Sequence, residues 1–309
     1  MDAFYIDIGG TYVRTARASK TGPVDIQKTR IQEYSGIEGI FDQSLTPDTT
    51  VMIASTGHQN TNGVWQITNG SGWTISSGNL EEIGQTAGAT IKPVINDLEA
   101  ACHALPALKD KDVEPLFIPD QTTSPLNRHK ALVGVGTGLG LAYCFQKPGQ
   151  GPVIHPTCGG HMVPAAITQE QFNICQKIRT YTSKPAIFEN VVSGQGLLYL
   201  YQAVTDKVCL RPEQTLDNDV VARLFHEFLG LFIHQAVLYG DSFGGVYLTG
   251  GVIDALAEDN RLDMQRILEF ANLPAVDLVS AGFDAVPYYR IRDPYITLQG
   301  LHEKFISDH

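Results

Sequence analysis

Short hydrophobic runs that end in glycine turns alternate along this chain with longer segments of helical periodicity. Residues 3–8 form an apolar run that stops at a Gly-Gly pair, and alternating character resumes over residues 12–18, which is typical of a β-hairpin. Residues 131–135 and 140–145 flank a second glycine-rich turn in the same way. Helical segments follow both hairpins, so the pattern predicts a mixed α/β sheet in each of two lobes.

The same pattern predicts the remaining elements. A third strand is expected before Gly22-Pro23, and a helix is expected over residues 76–84 with Ser77 as its N-cap. Residues 109–130 are rich in Asp, Pro, Thr and Ser and predict a surface loop near the junction of the lobes. Strands are also predicted at 51–55, 64–68, 92–96 and within 244–251, and helices at 98–108, 169–181, 194–204, 220–239 and 295–306.

The length of 309 residues exceeds the size at which a single core usually stops growing, so two lobes are expected. We place the small lobe at residues 1–107 with a C-terminal helix at 295–309, and the large lobe at 108–294. The contents of 43% hydrophobic and 18% charged residues are those of a soluble globular enzyme. The segment 220–239 is interrupted by charged residues and therefore reads as a core helix, not as a membrane span.

The charge balance and the cysteine pattern indicate which binding partners and which cellular compartment to expect. The chain has 22 basic and 33 acidic residues, a formal net charge of −11, and no basic cluster stands out. Neither a nucleic acid nor a membrane is therefore expected as a partner. Five cysteines without CxxC spacing favour reduced thiols over a disulfide or zinc framework, and no signal peptide is indicated. A cytoplasmic location is expected.

The first glycine turn carries groups that suit a phosphate. Asp7 lies at the end of the first strand, and Gly9, Gly10 and Thr11 follow it. Glycine N–H groups can face an anion, and a carboxylate beside them suits a Mg²⁺–phosphate complex because Mg²⁺ prefers oxygen ligands and retains waters. The alternative is an ordinary Gly-Gly hairpin with a turn-capping Asp.

The second glycine turn strengthens the first interpretation. Gly136, Thr137 and Gly138 connect the strands of the second hairpin and leave the backbone open to a ligand. Two such turns suggest loops that close on one polyphosphate, which favours a nucleotide-dependent phosphotransferase. A plain glycine-rich turn between strands is equally compatible with this one motif.

Asp97 is the best candidate for a catalytic group. It follows the apolar segment 94–96, so a rigid element would hold it. A hydroxyl is a poor nucleophile near neutral pH and needs a base within hydrogen-bonding reach when it attacks a phosphoryl group. The alternative is that Asn96 or Asp97 caps the following helix, and capping does not exclude catalysis.

Seven motifs, in order along nearly the whole chain, resemble those of the bacterial glucokinases, members of the sugar kinase, actin and Hsp70 superfamily. They are residues 7–11, 67–69 with Trp73, 96–97 with 99–100 and 105–108, 136–140, 159–161, 189–194 and 244–251. The resemblance implies an α/β, two-lobe actin-like ATPase (ribonuclease H-like) fold with an inter-lobe active-site cleft. It also implies ATP-dependent phosphorylation of glucose at its 6-hydroxyl, and it suggests a homodimer.

Roles for individual residues follow from the same resemblance. Asp97 would be the catalytic base and a sugar ligand, and Asn96, His161 and Glu189 would bind the sugar hydroxyls. Both glycine turns would bind the phosphates of ATP, with Mg²⁺ near Asp7 and without a direct protein ligand. Gly250 and Gly251 would form the adenosine-binding turn, although a helix-capping turn explains them equally well. Polyphosphate stays open as an alternative phosphoryl donor.

One departure from the family pattern concerns the sugar. Relatives carry Glu-Gly-Gly-His, in which the Glu binds sugar hydroxyls, whereas this chain has Cys158 before Gly159-Gly160-His161. A thiol is a weak donor and acceptor, so glucose binding should weaken by about tenfold or more. Three hypotheses follow: a glucose kinase, a kinase for another sugar or amino sugar, and a catalytically weak sugar-binding or regulatory protein.

Overall fold

The computed structural model describes residues 2–41, 45–67, 72–120, 128–147, 149–273 and 282–308. The chain divides into two compact units. The first comprises residues 1–108 and 293–309, and the second comprises residues 109–292.

The first unit is built on a six-stranded mixed sheet in the order β3-β2-β1-β4-β8, with β9 also paired to β4. The hairpin β1–β2 is antiparallel, whereas β1, β4 and β9 run parallel. The residues between β4 and β8 form a separate small antiparallel sheet, β5-β6-β7. The strands are β1 (Ala3–Ile8), β2 (Tyr12–Ala18), β3 (Pro23–Arg30), β4 (Thr50–Ser55), β5 (His58–Gln59), β6 (Trp65–Gln66), β7 (Thr74–Ile75), β8 (Thr90–Ile91) and β9 (Ile95–Asn96).

Four α-helices accompany this sheet among the described residues. The N-cap of α2 is Ser76, whose Oγ accepts a hydrogen bond from the Asn79 N–H at 3.2 Å, so the predicted N-cap Ser77 is wrong by one position. One face of β1 packs against the last helix through Tyr5, Leu301 and Phe305. The helices are α1 (Glu38–Phe41), α2 (Ser77–Ala87), α3 (Asp97–His103) and α10 (Ile296–Ser307).

The second unit has its own six-stranded sheet in the order β10-β15-β14-β11-β12-β13. The hairpin β11–β12 is antiparallel, and β11 pairs in parallel with β14. Each unit thus repeats a hairpin beside a parallel strand, which confirms the predicted mixed sheet in each lobe. The strands are β10 (Val113–Phe117), β11 (Lys130–Val135), β12 (Leu139–Phe145), β13 (Val153–Thr157), β14 (Val246–Thr249) and β15 (Tyr288–Ile291).

A long apolar helix forms the centre of this unit's core. Helix α7 is long and apolar enough to span a membrane by length and composition, but 72% of its apolar window is buried within the protein. Its side chains Phe225, Phe228 and Phe232 pack in the core, as predicted for a core helix. The helices are α4 (Gln169–Thr182), α5 (Gly194–Thr205), α6 (Pro212–Thr215), α7 (Asp219–Gly240), α8 (Gly251–Glu258) and α9 (Met264–Ala271).

Several predicted limits are wrong, and proline explains most of them. The third strand begins at Pro23 and does not precede it. The predicted loop 109–130 contains β10, a strand at the edge of the sheet that tolerates Pro115 there. Only Ile95–Asn96 of the predicted strand 92–96 is assigned to a strand, and α3 ends at His103, three residues before Pro106.

Candidate active site

The first glycine turn is held by an ion pair that crosses the hairpin. Asp7 and Arg14 are direct cross-strand partners, and Arg14 Nη1 donates to Asp7 Oδ2 at 2.8 Å. The Gly9 N–H donates to the Tyr12 carbonyl at 2.9 Å and closes the turn. Thr11 is exposed at its tip. The turn therefore presents a buried carboxylate that already has a cationic partner.

Burial and Arg14 act in opposite directions on Asp7. Burial raises the pKa of Asp7 above its ordinary value, while the charge and hydrogen bond of Arg14 counteract that rise. The Asp7 Oδ1 atom accepts no hydrogen bond from the residues that the structure describes. One carboxylate oxygen therefore stays available to a ligand.

Parallel strand register brings the first turn and the predicted base to one edge of the sheet. Ile8 in β1 pairs with Ser55 in β4, and Ser55 pairs with Asn96 in β9. Adjacent strands lie ~4.8 Å apart, so Asp97 lies roughly 10 Å from the end of β1. Asp7, Asn96 and Asp97 therefore share the carboxyl edge of three parallel strands.

Asn96 is the N-cap of α3, which was one of the two interpretations of this segment. Its Oδ1 accepts the Leu98 and Glu99 N–H groups at 2.9 and 3.2 Å. Among the described residues, its Nδ2 has one long contact, 3.4 Å to the Gly57 carbonyl. The capping hydrogen bonds thus use the amide oxygen of Asn96, and its N–H₂ group is the part of the side chain that can bind a ligand.

Asp97 occupies the first position of the same helix. Its Oδ1 accepts the Leu98 N–H at 2.9 Å, and no other described residue donates a hydrogen bond to its Oδ2, although the N–H of Asp97 itself also interacts with the carboxylate. Burial is the main cause that raises the pKa of Asp97 to about 6, and the negative charge of Asp7 adds to the rise. A carboxylate in this state is ionised at neutral pH and more basic than an ordinary Asp.

The loop after β4 is fixed to the first turn. The Thr56 N–H donates to the Ile8 carbonyl at 3.0 Å, and Trp65 Nε1 donates to the Thr56 carbonyl at 3.1 Å. Neither Trp65 nor Arg14 was predicted from the sequence. A signal for Arg14 existed, because opposite charges at matched positions across a two-glycine turn must face each other.

The second glycine turn is held mainly by backbone contacts. The Gly136 N–H donates to the Gly138 carbonyl at 2.9 Å, and the Gly194 N–H donates to the Gly136 carbonyl at 2.8 Å. Thr137 is exposed. A Cβ added at Gly136 would meet no atom within 4 Å. The protein's own packing therefore does not require glycine there, and open space adjoins the backbone.

Glu189 lies against this turn. It belongs to a 3₁₀ turn, Phe188–Asn190, and its Oε2 accepts the N–H of Leu139, the residue that follows the turn, at 2.9 Å. The Glu189 Oε1 atom has no hydrogen-bond partner among the described residues. A predicted sugar ligand and a predicted phosphate turn are thus joined by one carboxylate.

The segment that carries Cys158 and His161 packs on the same hairpin. It forms a 3₁₀ turn, Gly159–His161, in which both glycines are buried. A Cβ at Gly160 would overlap the Leu139 carbonyl, so close backbone approach requires glycine. Cys158 and His161 are exposed, and the ring of His161 bonds to no described residue.

The third glycine pair serves two different purposes. Gly250 is the N-cap of α8 at φ 105°, and a Cβ there would lie 2.5 Å from the Val135 carbonyl oxygen. A Cβ at Gly251 would meet nothing within 4 Å. Gly250 is thus needed for helix capping and close packing, whereas Gly251 leaves open space at the start of the helix.

One predicted motif falls partly outside the described residues. Thr68 and Asn69 cannot be placed, because residues 68–71 lie outside them. The Ile67 N–H donates to the Trp73 carbonyl at 3.1 Å, and Trp73 packs against the core of the first unit. Core packing therefore accounts for Trp73.

Comparison with known proteins gives a consistent result. The sequence profile described as Glucokinase matches residues 4–302. The glucokinase of Photorhabdus laumondii subsp. laumondii is 30% identical over 269 residues, which cover 80% of this chain and 80% of that protein. The glucokinase of Yersinia enterocolitica is 29% identical over 275 residues, covering 82% and 81%.

Solved structures show the same fold. A glucokinase from an Antarctic psychrotroph superposes with a TM-score of 0.76 at 21% identity, covering 99% of both chains. A glucokinase from Balamuthia mandrillaris in complex with glucose superposes with a TM-score of 0.74 at 20% identity, covering 98% of this chain and 92% of that one. The two-lobe actin-like α/β fold predicted from the sequence is confirmed. The chain belongs to the glucokinase family, whose members are ATP-using hexose kinases.

Proposed function

We propose that this protein is a glucokinase that transfers the γ-phosphoryl group of ATP to the 6-hydroxyl of glucose in the cytoplasm. Family membership supports a sugar kinase. The observation that best supports phosphorylation of a glucose hydroxyl is the position and the raised pKa of Asp97. Its carboxylate lies at the start of α3, at the sheet edge that also bears the first glycine turn, and burial raises its pKa to about 6.

Asp97 would act as the general base. A hexose hydroxyl must lose its proton as it attacks phosphorus, and a base is most effective when its pKa lies near the working pH. The Leu98 N–H fixes one oxygen of Asp97, which leaves Oδ2 to accept the proton. Because the carboxylate sits on the first turn of a helix, its position is set before the sugar arrives.

Three side chains would bind the sugar hydroxyls. Asn96 offers its amide N–H₂ group, since the helix cap occupies its oxygen. Glu189 offers Oε1, and His161 offers an exposed ring. Asn96 offers a donor and Glu189 an acceptor, and recognition of hydroxyl groups uses both kinds of group.

The glycine turns fit the phosphates of ATP. Open space at Gly136 and Gly251 lets a ligand approach the backbone, and the free Oδ1 of Asp7 suits a water on a Mg²⁺ ion. When bound, Mg²⁺ neutralises charge on the phosphate oxygens. Arg14 would keep Asp7 ionised through its 2.8 Å ion pair, and the charge of Asp7 would in turn support the basicity of Asp97.

The proposal is tested by assaying the purified protein with ATP, Mg²⁺ and glucose, and detecting glucose 6-phosphate with a coupled dehydrogenase. We expect stoichiometric formation of ADP and glucose 6-phosphate. With 6-deoxyglucose we expect binding but no ADP, because the nucleophile is missing. If 6-deoxyglucose raises ADP formation from ATP above the rate without sugar, another hydroxyl is phosphorylated. Polyphosphate in place of ATP tests the alternative donor.

Cys158 favours a second candidate, a kinase for another sugar or amino sugar. The exposed thiol stands where relatives place a carboxylate, next to His161 in the same turn. A panel of hexoses and amino sugars, assayed on the wild type and on Cys158→Glu, separates the candidates. A gain of about tenfold or more in kcat/KM for glucose in the variant would show that Cys158 sets specificity. Uniform preference of the wild type for glucose would rule the second candidate out.

A further inference from the structure

The second glycine turn is bonded at both ends to one short segment of chain. At one end, the Leu139 N–H donates to Glu189 Oε2 at 2.9 Å. At the other end, the Gly194 N–H donates to the Gly136 carbonyl at 2.8 Å. The segment 189–194 therefore holds the turn from both sides, and it carries the carboxylate that we assign to the sugar.

Ser193 closes this segment on itself. Its side chain is fully buried, and its Oγ donates to the Glu189 carbonyl at 2.7 Å. The same Oγ accepts the Gly196 N–H at 2.8 Å and thereby caps α5. One hydroxyl thus ties the backbone of Glu189 to the helix whose first residue, Gly194, bonds the turn.

Close packing makes this joint stiff. A Cβ at Gly196 would lie 2.8 Å from the Glu189 carbonyl oxygen and 2.9 Å from the Val191 nitrogen, so the start of α5 rests directly on the segment. A displacement of Glu189 therefore has to move the helix start or break the Ser193 bonds.

We propose that Ser193 is a positioning residue through which the sugar and the nucleotide bind cooperatively. The inference rests on the proposed function, in which the sugar contacts Glu189 Oε1 and the phosphates contact the turn at Gly136. A sugar that fixes the Glu189 side chain also fixes the acceptor of the Leu139 N–H. The turn is then ordered before the nucleotide arrives, so the nucleotide binds with a smaller loss of conformational entropy.

The test measures binding of the non-hydrolysable analogue AMPPNP with Mg²⁺, with and without saturating glucose, by calorimetry. In the wild type, glucose should tighten AMPPNP binding by about fivefold or more. In Ser193→Ala this factor should fall to within about twofold of unity, while the protein still binds glucose. The inference would be overturned if glucose tightened AMPPNP binding equally in Ser193→Ala and in the wild type. It would also be overturned if glucose did not tighten AMPPNP binding in the wild type.

Thr168→Ala is the matched control. Thr168 caps α4 in the same unit, where its Oγ1 accepts the Gln171 N–H at 3.2 Å, and in the part of the chain that the structure describes it forms no hydrogen bond to the glycine turn. Both variants lose a hydroxyl cap of a helix, and only Ser193→Ala also loses the bond to the Glu189 carbonyl. Thr168→Ala should keep the full effect of glucose on AMPPNP binding. A loss as large as that in Ser193→Ala would show a general stability effect and reject the inference.

Hydrogen exchange in the wild type gives a readout that needs no variant. Saturating glucose alone should slow amide exchange at Leu139 and Gly194 by about fivefold or more, and leave exchange at Gln171 unchanged. Unchanged exchange at Leu139 would contradict the inference even if Ser193→Ala failed to fold. The two proposals can be rejected independently. The proposed function is wrong if the wild type forms no sugar phosphate. The inference about Ser193 is wrong if catalysis is intact and the effect of glucose on nucleotide binding does not depend on Ser193.

Discussion

Replacing Asp97 by Asn should make the folded protein more stable at neutral pH while it removes phosphoryl transfer. The wild-type carboxylate is ionised in a site where burial and the charge of Asp7 disfavour ionisation. Asparagine has nearly the same shape, and its oxygen can still accept the Leu98 N–H. The substitution therefore removes an unfavourable charge and keeps the helix start intact.

The expected gain follows from the pKa and its sign. A rise of the pKa from 3.8 to about 6 corresponds to ~3 kcal/mol of unfavourable ionisation at neutral pH. Because Asp97 is only half-buried, solvent screening reduces this figure to ~1 kcal/mol. For a chain of this length the unfolding entropy is ~0.65 kcal/mol/K, so we expect a rise of about 1.5 °C in Tm. The pKa of Asp97 is higher in the folded than in the unfolded protein. The stability difference between Asp97→Asn and the wild type is therefore fully present above about pH 6 and vanishes below about pH 4.

Calorimetry of the two proteins at pH 7.5, 5 and 4 checks this expectation. Glu82→Gln is the control, because it removes one exposed carboxylate from a helix of the same unit. It should leave Tm within about 0.5 °C of the wild type at every pH, because Glu82 is exposed and has no ion-pair partner among the described residues. If Asp97→Asn loses activity but has the wild-type Tm at pH 7.5, the assignment of a raised pKa to Asp97 is wrong.

The remaining expectations concern the pH dependence of activity, the Gly250–Gly251 pair and the Asp7–Arg14 ion pair. The acidic limb of kcat/KM should follow one ionisation with pKa about 6, so activity should drop about tenfold between pH 7 and pH 5; a limb near pH 4 would contradict it. Gly250→Ala should destabilise the protein by ~1–3 kcal/mol in a urea titration, because its Cβ overlaps the backbone of β11, whereas Gly251→Ala should leave stability unchanged and raise KM for ATP. Arg14→Gln should destabilise by ~1–3 kcal/mol because Asp7 loses its partner. The double variant with Asp7→Asn should recover most of that loss but not the activity, and additive losses would show that the pair is not coupled.

The sequence predicted the first hairpin because each of its features is local. The predicted limits 3–8 and 12–18 match β1 and β2, since an apolar run, a Gly-Gly turn and an alternating run specify a hairpin without long-range information. The strand β10 was missed for the opposite reason. Pro115 and the polar residues around it are typical of a loop, and only the edge position beside β15 makes a strand possible there.

The candidate site shows the same division. Asp7, Asp97 and the glycine turns could be predicted as site residues from the order of motifs along the chain. Arg14 and Ser193 were missed, since their importance depends on which atoms their side chains reach across a hairpin or within a turn. No spacing rule marks a serine as the link between a helix cap and a neighbouring carbonyl. Residues of that kind emerge only from three-dimensional contacts.

The most direct test of the account is to separate binding from chemistry in Asp97→Asn. Glucose binding is measured by calorimetry, and glucose 6-phosphate formation is measured at pH 7.5 with saturating ATP and Mg²⁺. If Asp97 is the base, the variant should bind glucose within about tenfold of the wild-type Kd and lose kcat by about 10²–10⁴-fold. A variant that binds glucose normally and keeps more than about a tenth of wild-type kcat would contradict the account.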